Sequence, residues 1–187
     1  QLNTHANNWN SGSEIVVLGY DNDEADSGTN FWQEIGSFDF SSGTTGINNE
    51  SFAAKKYLMF KWYFTSGSGG SGQYIRYNND TGGNYARRHS IDGASDGTAT
   101  SDSEIYISPS TGAREHQGVL YVVNVANKEK LGINETMTAQ SGAGNAPQRR
   151  ETVSKWNNTS SQITSITFSS GNSASYTSGV LKVYGAD

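Results

Sequence analysis

The chain has 187 residues and a net charge of −5 at pH 7. It is therefore long enough for one domain with a real core and too acidic for nonspecific binding to nucleic acid. It has no cysteine, which excludes disulfides, zinc–thiolate sites and cysteine nucleophiles. No apolar run approaches the roughly 20 residues that cross a bilayer, so we expect no membrane insertion. Gly, Ser, Thr and Asn form close to half of the chain and aromatic residues 11%, which predicts a folded all-β protein.

Alternation of apolar and polar residues between turn signals predicts about ten short strands. In chain order, the strand-like segments are residues 14–18, 31–35, 38–40, 57–64, 73–77, 84–89, 104–108, 119–125, 130–139, 151–156, 163–168 and 180–185. Residues 41–50 and 91–101 are predicted to be loops, and residues 127–130 to form one helical turn. This spacing favours an antiparallel two-sheet β-sandwich that is jelly-roll-like.

The most apolar segment is residues 57–64, and its two faces differ in character. Its even positions are predicted to fill the core; they are Leu58, Phe60, Trp62 and Phe64. Its odd positions point to the opposite face, because successive side chains alternate along a strand. Of these, Tyr57, Met59 and Tyr63 are predicted to contact a neighbouring subunit or a ligand.

The two ends of the chain resemble each other. Residues 11–21 and 177–187 align without gaps, so that Ile15 meets Leu181 and Gly19 meets Gly185. We therefore expect residues 1–21 to be an N-terminal arm or the closing strand of a preceding repeat, and residues 22–187 to form one β-sandwich domain. Such an arm could pair with the sheet edge of an adjacent unit. The alternative is chance recurrence of a short strand motif.

The densest run of oxygen ligands is residues 21–28. Asp21, Asp23 and Asp26 are candidates for binding Ca²⁺, which prefers six to eight oxygens. The spacing does not match an EF-hand, and an acidic solvated linker is the alternative. No metal-ligand histidine motif and no nucleophile elbow occurs, so we expect a protein without enzymatic activity and without a cofactor.

The remaining candidates for binding are two basic pairs, Arg87–Arg88 and Arg149–Arg150, and two tryptophans. Arg149 and Arg150 are predicted to contact an acidic partner or a glycan, although solvated charges are the alternative. Trp9 and Trp156 have asparagine neighbours and are predicted to be exposed, where they could stack on sugars. The alternative for each tryptophan is a buried place in the core.

Several segments together resemble virion-associated β-sandwich repeat proteins of marine tailed phages. The segments are residues 12–21, 29–32, 84–88, 142–151 and 163–168, and the small-residue turn before residues 180–185 is similar to the closing strand of phage tail and decoration domains. These are packing and turn motifs. The resemblance implies a role at the virion surface, in head decoration, a collar or a tail fibre, and it implies no catalytic or metal-binding residue.

The sequence therefore predicts a non-enzymatic virion structural protein that assembles with other virion subunits, as a homo-oligomer at the virion surface or in another extracellular setting. One alternative is a carbohydrate-binding or receptor-binding adhesin module that attaches to a host surface glycan. Another is a calcium-stabilised glycanase domain. A sandwich fold serves all three uses, so the fold alone does not choose among them.

Overall fold

The structure is a computed structural model that describes residues 31–41, 43–67, 72–108, 112–171 and 174–187. Phe31–Asp187 forms one compact unit. Several predictions concern residues outside the described ranges: the strand at 14–18, the repeated chain end, the arm at 1–21, Trp9, and the acidic run with Asp21, Asp23 and Asp26.

The described residues form twelve strands and no α-helix. The strands are β1 (Gln33–Asp39), β2 (Gly46–Ser51), β3 (Tyr57–Ser66), β4 (Gln73–Tyr77), β5 (Tyr85–Ile91), β6 (Gly97–Asp102), β7 (Ile105–Ser108), β8 (Glu115–Val123), β9 (Lys130–Thr138), β10 (Gln148–Trp156), β11 (Ser165–Ser170) and β12 (Tyr176–Ala186).

These strands form two antiparallel sheets that pack against each other. The larger sheet has eight strands in the order β1-β12-β3-β8-β9-β10-β5-β6, and the smaller has four in the order β2-β11-β4-β7. The chain changes sheets repeatedly, as between β1 and β2, β3 and β4, and β11 and β12. The prediction of an all-β, two-sheet sandwich is confirmed.

The prediction missed two strands, both in segments expected to be loops. β2 lies within the predicted loop 41–50, and β6 within the predicted loop 91–101. Both are edge strands of their sheets, paired on one side only. Such strands need no apolar alternation, because backbone hydrogen bonds to one neighbour hold them in place. The helical turn predicted at 127–130 is absent: Asn127 adopts a left-handed conformation with φ of 60°, and β9 begins at Lys130.

The core lies between the two sheets and is rich in aromatic rings. The even positions of β3 are buried as predicted, with Trp62 only 3% exposed. Phe168 of the smaller sheet packs edge-on against Trp62 and Phe64 of the larger sheet, each at 5.5 Å between ring centroids. Phe40 packs against Phe168 at 5.1 Å. This ring cluster joins the two layers.

Replacing Phe168 with alanine should remove this aromatic contact between the two sheets. We expect Phe168→Ala to lower the free energy of unfolding by about 3–5 kcal/mol, because a buried ring is lost and a cavity remains. Urea unfolding followed by tryptophan fluorescence measures the loss. The control is Glu50→Ala on β2 of the smaller sheet, which removes an exposed side chain and should change stability by about 0.5 kcal/mol or less. Equal losses in the two variants would contradict this view of the core.

Candidate functional site

The distribution of polarity across β9 is inverted relative to an ordinary sandwich strand. Its inward side chains include Asn134, Thr136 and Thr138, all buried, whereas Ile133 and Met137 point outward and are exposed. A sheet with one solvated face normally carries polar residues on that face. β9 therefore presents its apolar side away from the smaller sheet.

Apolar side chains also point outward on the neighbouring strands, so the four strands together carry an apolar surface. We call it the outer face, meaning the side of the larger sheet that points away from the smaller sheet. Its exposed large apolar side chains lie on four adjacent strands, β3, β8, β9 and β10: Tyr57, Tyr63, Tyr121, Val123, Leu131, Ile133, Met137 and Val153. With strands about 4.8 Å apart and about 3.4 Å per residue, the patch measures roughly 14 by 20 Å between Cα positions.

The antiparallel register brings the members of this patch side by side. Tyr121 lies opposite Met59 on one neighbouring strand and opposite Ile133 on the other. Ile133 in turn lies opposite Val153. Directly paired side chains of this kind pack against each other across the strands. The part of the patch around Tyr121, Val123 and Ile133 is therefore a continuous apolar surface, whereas Tyr63 and Met137 lie beyond Lys61 and Glu135.

Two aromatic residues that precede β1 extend the outer face at one end. The ring of Trp32 lies 6.3 Å from that of Tyr121, and the ring of Phe31 lies 6.4 Å from that of Tyr57. Trp32 lines a groove of about 790 Å³ that is floored by Leu131, Ile133 and other apolar side chains. The surface is therefore grooved, and a partner's side chains could fit into the groove.

Charged side chains are also ordered on the outer face. Lys61 and Lys182 are directly paired on β3 and β12. Glu135 and Glu151 are directly paired on β9 and β10. The strand β8 separates these two pairs. Each outermost charge has one ion-pair partner within the chain, Glu34 for Lys182 at 2.8 Å and Arg149 for Glu151 at 3.7 Å.

Four of the five predicted interface residues point to the outer face. The odd positions of β3, including Tyr57, Met59 and Tyr63, project away from the core as predicted. Arg149 is exposed and lines a groove there together with Met137. Their role as an interface stays a prediction. The larger part of the patch, on β8, β9 and β10, escaped sequence analysis because alternation marks two faces of a strand without showing which one is buried.

Arg150 does not lie at the surface, and its prediction as an exposed contact was wrong. It is completely buried, because adjacent residues of a strand point to opposite faces and Arg149 takes the outward position. Its guanidinium carbon lies 4.0 Å above the ring centroid of Tyr106, and its Nε donates to Thr152 Oγ1 at 3.2 Å. Its two terminal nitrogens have no hydrogen-bond partner in the described part of the chain. Burial lowers the pKa of Arg150 to about 10, with the nearby Arg87 charge contributing.

A buried cation without an acidic partner carries a desolvation cost that an apolar side chain avoids. We therefore expect Arg150→Met to leave the free energy of unfolding unchanged or to raise it by about 1 kcal/mol. Chemical unfolding at pH 7 measures the change. Thr152→Val, at the neighbouring inward position, is the control for altering a single hydroxyl. A loss of more than about 2 kcal/mol in Arg150→Met would show that the guanidinium has a stabilising partner.

Trp156 is buried as well, so the prediction that it is exposed was wrong. It is 1% exposed, and its Nε1 donates to Asp80 Oδ2 at 2.7 Å. Its ring stacks on that of Tyr85 with 6.4 Å between centroids. With its ring packed and its one donor used, Trp156 offers no platform for a sugar.

A second polar cluster sits inside the sandwich around His116, which is completely buried. Its Nε2 lies 3.2 Å from Ser66 Oγ, and its Nδ1 lies 3.2 Å from Ser108 Oγ and 3.1 Å from Thr138 Oγ1. The ring stacks on Phe64 at 4.8 Å. Ser66, Ser108 and Thr138 are all buried, so we interpret the cluster as a structural network that ties β8 to three other strands.

Burial, with a smaller contribution from the Arg114 charge, lowers the pKa of His116 to about 4. In the unfolded chain a histidine titrates near 6.5, so as the pH falls the unfolded state takes up the proton first. The resulting stabilisation is complete above about pH 6.5, declines as the pH falls, and is lost below about pH 4. It amounts to roughly 3 kcal/mol at neutral pH.

The variant His116→Asn should lack this contribution to the pH dependence. We expect its free energy of unfolding to fall less than that of the wild type between pH 7 and pH 4, by about 3 kcal/mol, because asparagine does not titrate. Urea unfolding at half-unit pH intervals measures both curves. The carboxylates titrate alike in the two proteins, so parallel curves would contradict a buried neutral His116.

The oxygen-rich segment near β6 serves local structure. Asp92 Oδ1 accepts from the backbone nitrogen of Arg149 at 2.7 Å, and Asp102 pairs with Arg87. Within the described ranges, no group of three or more histidine, aspartate or glutamate residues could hold a metal ion. Among the same residues no helix is long and apolar enough to span a membrane.

Comparison with known proteins finds no matching family model, no matching curated protein and no matching solved structure. The functional argument therefore rests on the outer face itself.

Proposed function

We propose that this chain is a non-enzymatic structural protein that works by assembly with other protein subunits, and that the outer face is its assembly surface. The observation that carries the proposal is the concentration of exposed apolar side chains on the outward side of β3, β8, β9 and β10. Exposed apolar patches bordered by polar residues are typical of interaction sites.

The composition of the outer face resembles the centre of a protein interface. Tyrosine, methionine and aliphatic side chains surround Tyr121, and Arg88 and Glu151 lie further out on β5 and β10. One charged row, with Lys61 and Glu135, crosses the face beside β8. Interfaces are enriched in aromatic residues, methionine and arginine, and their polar residues concentrate at the rim. Removing this patch from water contributes about 25 cal/mol for each Å² of apolar surface buried.

A glycan is a less suitable occupant of this surface. Sugars need hydrogen-bonding groups beside an aromatic platform, whereas the middle of the patch is formed by Leu131, Ile133 and Val153. These side chains offer no hydrogen bonds. Tyr57, Tyr63 and Tyr121 do carry hydroxyl groups, so a carbohydrate-binding module is the outcome against which assembly is tested.

The virion is the setting that we propose for this assembly. The resemblance of the chain to β-sandwich virion proteins of tailed phages supports that setting, and a stable sandwich with one adhesive face suits a repeated position in a lattice or fibre. On this proposal the protein lies at the virion surface, in head decoration, a collar or a tail fibre.

The proposal predicts that wild-type protein forms a complex larger than a monomer and that Ile133→Asp disrupts it. The substitution places a charge at the middle of the patch, where burial without a partner is costly. We therefore expect the dissociation constant of the assembly to rise at least tenfold. Native mass spectrometry across a dilution series measures the assembly. Glu50→Lys, a change on exposed β2 of the smaller sheet, is the control and should assemble normally.

A persistent monomer that binds glycans on an array, and loses that binding in Tyr121→Ala, would overturn the proposal in favour of the carbohydrate-binding module. An assembly that survives Ile133→Asp unchanged would show that another surface is used. Circular dichroism confirms that each variant is folded before its mass is interpreted.

A further inference from the structure

The outer face is arranged symmetrically about β8. β3 and β9 are its immediate neighbours, β12 and β10 come next, and β1 and β5 follow. The register of these pairs divides the face into rows that run across the strands, each centred on one residue of β8. Within a row, we say that a side chain on the β3 side mirrors the side chain that lies the same number of strands from β8 on the β9 side.

The row centred on Val119 contains charges of opposite sign on its two sides. Val119 lies opposite Lys61 on β3 and opposite Glu135 on β9. One strand further out, Lys61 lies opposite Lys182, and Glu135 lies opposite Glu151. Two lysines at distances of one and two strands thus mirror two glutamates at the same distances.

The row centred on Tyr121 also has complementary side chains on its two sides, and its middle is apolar. Met59 mirrors Ile133 at one strand from β8, and Tyr184 mirrors Val153 at two strands. At three strands, Glu34 of β1 mirrors Arg88 of β5. Apolar positions therefore correspond to apolar positions, and the one charged pair again has opposite signs.

The flanking rows continue the apolar match next to β8. In the row of Gln117, Tyr63 mirrors Met137. In the row of Val123, Tyr57 mirrors Leu131. The match ends at two strands in both rows, where Val180 mirrors Arg149 and Ala186 mirrors Lys155. These two mismatches lie away from the centre of the face.

From this pattern we infer that the partner of the outer face is the outer face of a second copy of this chain, related by a two-fold axis that runs along β8. The inference rests on the proposed assembly function and specifies its partner. Rotation about such an axis exchanges the two sides of each row. Lys61 and Lys182 of one copy then face Glu135 and Glu151 of the other, and Glu34 faces Arg88.

Other face-to-face arrangements of two copies do not give this match. A two-fold axis that is parallel to the sheet but perpendicular to the strands leaves each strand on its own side of β8 and exchanges the rows. Along the Val119 row it would place Lys61 against its own copy and Glu135 against its own copy. Like charges placed together disfavour association, so the axis along β8 is selected. It also keeps the strands of the two sheets nearly aligned, as in packed sheets generally.

Two-fold symmetry makes each contact occur twice, so a single substitution has a doubled effect. Lys61→Glu places its new carboxylate opposite Glu135 at two sites, and Glu135→Lys places two lysines opposite each other at two sites. We expect either variant to weaken the dimer about tenfold or more. The double variant Lys61→Glu with Glu135→Lys restores opposite charges, and we expect its dimer affinity to return to within about threefold of the wild type.

The experiment is a sedimentation-velocity dilution series of the full chain, carried out for the wild type, both single variants, the double variant and the Glu50→Lys control. A wild-type dimer, weakening in both single variants and recovery in the double variant support the inference. Raising the salt concentration should reduce the differences, since they arise from charge. A thermal midpoint for each variant excludes loss of folding as the cause.

Cross-linking tests the position of the axis independently. Because the chain has no cysteine, one introduced thiol reports on one site. A residue of β8 faces its own copy across the axis, and packed sheets lie about 10 Å apart. Gln117→Cys treated with a bismaleimide of about that span should therefore give a covalent dimer, and Glu50→Cys on β2 should not.

Results that contradict this inference differ from those that contradict the proposed function. If Ile133→Asp dissociates the assembly but the double charge variant fails to recover, the outer face assembles in another arrangement and only the two-fold pairing is wrong. Assembly as trimers or larger rings, with no cross-link at position 117, would likewise contradict only the two-fold pairing. A monomer under all conditions overturns both.

Discussion

The structure depends on the two-residue period of the eight-stranded sheet. Every strand in that sheet presents one set of side chains to the smaller sheet and the other set outward, and pairing fixes both sets at once. On β3 this period places large rings in the core. On β9 the same period places amide and hydroxyl groups inside and aliphatic side chains outside. One geometric rule thus generates both the core and the adhesive surface.

The polar interior under β9 and β10 is organised, because buried polar groups need partners. Asn134 donates to the carbonyl of Ile107 on the smaller sheet at 3.2 Å, and Thr136 donates to Asn134 at 3.3 Å. His116 connects hydroxyl groups from three strands. Arg150 is the exception, since its guanidinium carbon lies over the face of Tyr106 and its terminal nitrogens have no hydrogen-bond acceptor among the described residues. Hydrogen bonds at one end of the sandwich therefore take the place that aromatic packing has around Phe168.

Much of the fold could be predicted from sequence because most strands alternate between strong apolar and polar residues. β3 is the best example, since its four largest even-numbered side chains had to be buried together. β2 and β6 could not be predicted in this way, because edge strands made of Gly, Asn, Ser and Thr look like loops. The site was predicted only where it overlaps β3. Leu131, Ile133 and Val153 were ambiguous, because an exposed aliphatic side chain and a buried one have the same identity. Trp156 was misplaced because its asparagine neighbours were taken as a guide to exposure. Arg150 was misplaced because it was grouped with Arg149, although adjacent residues of a strand point to opposite faces.

The inverted polarity of β9 also has a consequence for how the chain reaches its native state. A shift of β9 by one residue would turn Leu131, Ile133 and Met137 towards the interior together with Glu135, and it would release Asn134 and Thr136 to water. Counted on the apolar side chains alone, that slipped pairing is a competitor of the native one. The native register is favoured because it keeps the Glu135 carboxylate in water, and because it makes the Asn134–Ile107 hydrogen bond and the contact of Thr138 with His116 at 3.1 Å. In this sandwich the polar residues of β9 therefore specify the strand register, whereas apolar packing specifies it in most β proteins.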